Sequence, residues 1–110
     1  MPLLLGCRAN RMPTAPGLQV AGFSIRRHSN YETAYDFSYL TTVAWNTDPA
    51  LVCTAHQHGA RVVLNAGIAD LTAFTEATER AVWVQRVLQK ALDHCLDGIN
   101  FDFEGPVPVC

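Results

Sequence analysis

The chain has no uninterrupted apolar run near the ~18 to 20 residues a membrane-spanning helix requires. Its longest pieces are Leu3-Leu4-Leu5, Val62-Val63-Leu64 and Ala81-Val82-Trp83-Val84, so no membrane is expected among its partners. Basic clusters are missing too. The 8 Lys and Arg are dispersed among 10 Asp and Glu, only Arg26-Arg27 are adjacent, and the net charge is -2. That surface offers no footprint for nucleic acid or an acidic bilayer. No C-x-x-C occurs, and Cys7, Cys53, Cys95 and Cys110 lie far apart; they read as buried thiols and loose ends rather than as a disulfide framework or a zinc site. The leucines after Met1-Pro2 lack the charged leader and the ~7 to 15 apolar residues of a secretory signal, so no signal peptide is expected. No G-x-G-x-x-G follows any strand-like run, which removes support for a dinucleotide-binding sheet.

What is present describes one globular domain at most: 110 residues, 49% hydrophobic and 16% charged. Residues 1–19 carry Pro2, Pro13 and Pro16 with Gly6 and Gly17 and no periodicity, so a poorly ordered leader is expected there and a folded part over 20–110. The run VAGFSI (20–25) has strand composition, the polar stretch 26–36 reads as a loop, and TTVAW (41–45) is a second strand. Asp48-Pro49 supplies an N-cap and a first-position proline, Leu51, Val52 and Ala55 share one face, and Gly59 sits where a left-handed cap belongs. RVVLN (61–65) suits a strand buried on both faces. A long amphipathic helix follows, with hydroxyl and carboxylate groups at Thr75, Glu76 and Glu79 near its start and Ala77, Ala81, Val84, Leu88, Ala91 and Cys95 as its buried stripe. Asp97-Gly98 ends it, and residues 99–104, INFDFE, form a fourth strand. Strands alternating with helical crossovers mean an α/β fold with a parallel sheet. Periodicity alone does not choose between half of a doubly wound sheet and half of a (β/α)8 barrel.

In that last strand Asn100, Asp102 and Glu104 alternate with Ile99, Phe101 and Phe103, so period two sends the three polar side chains to one face. A row of this kind in a parallel sheet is costly unless it lines a cavity. Two carboxyls so close disfavour double ionisation, which leaves one charged and lets the other hold a proton for a leaving group, the division of labour in carboxylate-pair glycosidases. A solvated edge strand is the bland alternative. A magnesium site is the weakest reading, since no phosphate loop accompanies the acids.

The octet DGINFDFE (97–104) resembles the D-G-x-D-x-D-x-E signature of family 18 glycoside hydrolases, the chitinase family. Asn100 stands where most of that family has Asp, a feature of its chitobiase branch, which the stretches TTVAW and ALVCTAHQHGARVVL also resemble. The resemblance covers residues 20–104 and implies the N-terminal half of a (β/α)8 TIM barrel, about four parallel strands with covering helices. It further implies hydrolysis of β-1,4-linked N-acetylglucosamine, such as the chitobiose core of asparagine-linked oligosaccharides, by a substrate-assisted retaining route without cofactor or metal. Glu104 would be the acid, Asp102 would hold the substrate's acetamide, and Asp97 would give structural or electrostatic support. Asn100 and Trp45 would bind substrate, a core aromatic being the more frequent reading of a tryptophan placed like Trp45. Glu104 speaks for catalysis, since non-catalytic carbohydrate-binding relatives lose that acid. The family's chitobiases imply a lysosomal or secreted setting.

Other features have plainer readings. Cys53, His56 and His58 lie within six residues, yet only two can share a helix face, so a helix end with His favouring the dipole outweighs a metal site. Tyr31, Tyr35 and Tyr39 are expected to cover the sheet, and Trp83 to pack. A full barrel needs about 200 residues or more. This chain is therefore expected to be inactive alone and to self-associate through unpaired strand edges.

Overall fold

The computed structural model describes residues 17–67 and 71–103. The expected leader falls largely outside them; Gly17 to Gln19 are exposed and without regular structure. Four strands, β1 (Ala21–Phe23), β2 (Thr42–Ala44), β3 (Arg61–Ala66) and β4 (Gly98–Phe101), form one sheet in sequence order, every pairing parallel. The connections carry helices, α1 (Tyr31–Ala34), α2 (Pro49–Gln57), α3 (Thr72–Thr75) and α4 (Ala77–Asp93). Sequential parallel order with helical crossovers is the repeat of a (β/α) barrel, and the expected α/β class is observed.

Local chemistry accounts for α2. Asp48 accepts from the Ala50 N–H, Pro49 takes the first turn, and Gly59 at φ 75° supplies the left-handed residue after the helix. Leu51, Val52 and Ala55 are buried against the sheet as their spacing predicts, and each of the two larger side chains contributes about 1.5 to 3 kcal/mol by leaving water.

Register shows which way the strands face. Val43 pairs Val62, Leu64 pairs Ile99 and Ala66 pairs Phe101, and these residues look toward the helices. Thr42, Arg61, Val63, Gly98, Asn65 and Asn100 occupy the opposite, open face. β3 was expected to be buried on both sides, but only Val62, Leu64 and Ala66 are; Arg61, Val63 and Asn65 are half-buried, no helix or strand among the described residues packing on their face.

Several other expectations need correction. The 26–36 stretch contains α1, capped by Asn30 accepting from the Glu32 N–H. The long helix stops at Asp93, closed by Cys95 at φ 58°, so Asp97-Gly98 leads into β4 rather than ending α4. Its buried residues are Val87 and Ala91, with Trp83 packed beside the core, whereas Val84 and Leu88 are 44% exposed. Bulk decides this: Trp83, Val87 and Ala91 follow at i, i+4 and i+8, and that row meets β3 and β4. Tyr31 is buried and Tyr35 packs on the core, but Tyr39 is exposed. Cys53 is disulfide-bonded, with its partner outside the described residues, while Cys95 is free; widely spaced cysteines can still meet in space, which spacing could not reveal.

Candidate active site

The carboxyl ends of the strands bring together residues from all four. On β1, Phe23 pairs Ala44 and therefore lies on the open face, 57% exposed. Period two would turn Trp45, the residue after β2, toward the helices. Its φ of 87° breaks the alternation and sets its ring edge-on to Phe23 at 5.3 Å. A bulky residue in that backbone region is held by its surroundings at a cost of about 1 to 3 kcal/mol, which is the kind of strain found at ligand sites. Trp45 is 41% exposed. The two rings present an apolar surface at the rim.

Across the sheet, Asn100 is in register with Asn65, and its side-chain amide N–H donates to Asn65 Oδ1 at 3.5 Å. Asp102 lies just past β4, where its N–H donates to the Ala66 carbonyl at 3.0 Å and continues the ladder. A Cβ on Gly67 would come within 3.2 Å of the Asp102 carbonyl oxygen, so any side chain there would push on this approach by a few tenths of an ångström. Phe101 and Phe103 both set their rings edge-on to Phe74, at 6.3 and 5.0 Å. The alternation thus persists to residue 103, with aromatics on the helix side and Asn100 and Asp102 on the other. Asp102 is half-buried, and Glu104 lies outside the described residues.

Asp97 sits elsewhere. Its side chain is fully buried at the start of β4, where Oδ2 lies 2.7 Å from His56 Nε2 and accepts from the Val62 N–H at 2.8 Å. Five residues of extended chain separate it from Asp102, about 16 Å. Asp97 therefore holds the strand and does not reach the rim.

Behind the Trp45 turn runs a polar network. Asn46 donates to Ser24 Oγ and Tyr31 Oη, at 3.3 and 3.0 Å, and Ser24 and Tyr35 share a 2.7 Å hydroxyl contact. Tyr31 donates to Asp48 Oδ2 at 2.8 Å. Burial pushes the Asp48 carboxyl up, but hydrogen bonds from Tyr31 and the Ala50 N–H and the charge of Arg27 outweigh it and hold it below its ordinary value. The network anchors the strained turn.

Sequence reasoning missed Phe23 and the pairing of His56 with Asp97. Phe23 was legible as the aromatic of a period-two strand. His56 shares a helix face with buried Val52, four residues earlier, which marks it as an interior residue; the dipole reading is replaced by burial against Asp97. It is His58 that stays at the surface, paired with Glu32 at 2.8 Å. No group of three metal-ligating side chains occurs among the described residues, and the disulfide removes Cys53 as a thiolate ligand.

No family model matches the chain. Among curated proteins it is 43% identical over 76 residues to the di-N-acetylchitobiase of Mus musculus, covering 67% of this chain and 20% of that one. It is 38% identical over 98 residues to that of Bos taurus, covering 87% and 54%, and 36% identical over 96 residues to that of Homo sapiens, covering 76% and 25%. The chain thus spans between about a fifth and a half of the length of these relatives. Its fold is similar to a chitinase from Bacteroides thetaiotaomicron, with a TM-score of 0.64 at 18% identity over 80% of this chain and 36% of the other. Four parallel strands aligned on about a third of a chitinase form half of a TIM barrel, and with the di-N-acetylchitobiase matches they mean that the chain belongs, over the part it spans, to the chitinase-like glycoside hydrolases.

Proposed function

We propose that the chain carries the acid-bearing side of a cleft that hydrolyses β-1,4-linked N-acetylglucosamine, the chitobiose unit of asparagine-linked oligosaccharides being the substrate class. The observation that supports this most is the placement of Asn100 and Asp102 on the open face, at the rim where Trp45 and Phe23 offer rings to a sugar. In the reaction, Glu104 protonates the glycosidic oxygen while the substrate's own 2-acetamido carbonyl attacks the anomeric carbon, giving an oxazolinium ion and releasing the leaving sugar. Asp102 accepts from the acetamide N–H and balances the positive charge. Water then opens the ring at the anomeric carbon and gives its proton to the Glu104 carboxylate, so configuration is retained. Asn100, in place of an acid, removes one proton-sharing partner of Asp102 and leaves Glu104 as the other carboxyl of the row. No cofactor enters these steps.

On four strands alone we expect sugar binding without turnover, and self-association through the outer strands of the described sheet, β1 and β4. Residues 20–110 would be the partial catalytic domain, and a lysosomal or secreted setting follows from the family. The test joins this chain to the C-terminal barrel half of a di-N-acetylchitobiase and compares it with Glu104→Gln. The variant should bind N,N′-diacetylchitobiose but release no N-acetylglucosamine. Unchanged turnover would place the proton donor elsewhere.

A further inference from the structure

We propose that His56 is a positioning residue for the acidic row: by holding Asp97, it sets the register of β4 on β3 and so directs Asn100 and Asp102 to the open face. The functional half of this statement rests on the reading above; the structural half does not.

β4 is short, four residues, and as the last strand of the described sheet it pairs with β3 alone among the described residues. Burial specifies its register weakly, because its helix-side residues Ile99 and Phe101 are 41% and 52% exposed. A slip of one residue would exchange them with Asn100 and Asp102. Something other than core packing must fix the strand, and Asp97 does so. Its N–H donates to the Val62 carbonyl at 2.8 Å, and its Oδ2 accepts from the Val62 N–H at 2.8 Å. Asp97 is thereby tied to both backbone groups of one β3 residue, immediately before the Val63–Gly98 pair.

A carboxylate buried at 0% side-chain exposure needs further donors. His56 supplies one from the last turn of α2, Nε2 to Oδ2 at 2.7 Å, with its ring 2% exposed. Since a carboxylate oxygen only accepts, Nε2 carries the proton. Nδ1 is buried with no hydrogen-bond partner among the described residues, so the polar hold on the ring runs through Nε2. The link joins α2 to β4 across 41 residues of chain.

Amide hydrogen exchange on the full chain tests this with His56→Leu, which removes the donor, and His56→Gln, whose side-chain amide can replace Nε2. Leu should speed exchange of the Val62 and Asp102 amides by about tenfold or more while the Ser24 amide, which bonds Ala44 between β1 and β2, keeps its rate; Gln should restore protection. Uniform acceleration of all three amides, or an unchanged Asp102, would overturn the proposal. Should the Leu variant fail to fold, the imidazole nitrogens of the unmodified chain decide: a protonated Nε2 and an imine-like Nδ1 are expected, and the reverse tautomer refutes the link. Titration with N,N′-diacetylchitobiose adds the functional arm, in which Leu weakens the response at Asp102 and spares that at Trp45. Equal weakening at both overturns the positioning role. If the unmodified chain gives no response while the exchange pattern holds, the sugar reading fails and the register lock stands.

Discussion

Replacing Asp48 by Ala removes an acceptor used three times. Oδ1 caps α2 through the Ala50 N–H at 3.1 Å, and Oδ2 takes the Tyr31 hydroxyl at 2.8 Å and Arg27 at 3.4 Å. Loss of the cap costs about 1 kcal/mol. Tyr31 is 2% exposed, so its stranded O–H adds about 1 to 3 kcal/mol even though Asn46 still donates to the same oxygen. The Arg27 side chain is 78% exposed and its contact adds little. The total is about 2 to 4 kcal/mol against the ~5 to 15 of a typical domain, read as a lower urea midpoint in far-UV circular dichroism. Asp48→Asn keeps a capping oxygen and loses only the charge that strengthens the Tyr31 hydrogen bond, about 1 kcal/mol. Because the folded state holds the carboxyl below the ordinary 3.8, the charge contributes its full stability above that value and loses it as pH falls through the folded value. The gap between the natural chain and the Asn variant should therefore be widest above pH 3.8 and narrow on further acidification. An Ala variant that loses under about 1 kcal/mol, or a gap that widens in acid, would refute the reasoning.

Two further outcomes follow from packing. Val87→Ala, at a buried contact of α4, should cost about 2 kcal/mol, whereas Leu88→Lys, one position on and 44% exposed, should stay within about 0.5 kcal/mol; similar losses would mean that α4 is rotated from its observed setting. Phe23 on β1, Ile25 just after it, and Ile99 and Phe101 on β4 are exposed on the two outer strands of the described sheet, so sedimentation should show mass rising with concentration, and a monodisperse monomer across the micromolar range would contradict edge pairing.

The elements that were legible in the sequence are those whose signals are local. Asp48-Pro49 and Gly59 bound α2 because capping depends on residues within one turn, and the alternation in INFDFE survives as Asn100 and Asp102 facing away from Phe101 and Phe103. Features made by tertiary contact were not legible. The positive φ of Trp45 is imposed from outside its strand, the Cys53 disulfide joins distant residues, and His56 takes its meaning from Asp97, which no spacing rule connects to it.

The misread face of α4 belongs to a third category, because the pattern itself was real. The stripe through Ala81, Val84 and Leu88 is apolar at helical spacing, yet the structure turns Trp83, Val87 and Ala91 to the sheet and leaves Val84, Leu88 and Leu92 exposed. A helix that met only this sheet would need one apolar stripe; α4 has two, about 100° apart. The helix-side residues of β4 show the same surplus, with Ile99 and Phe101 apolar but half open to solvent. The apolar pattern therefore exceeds what the described sheet buries, and the face of α4 was misread because the choice lay between two real stripes.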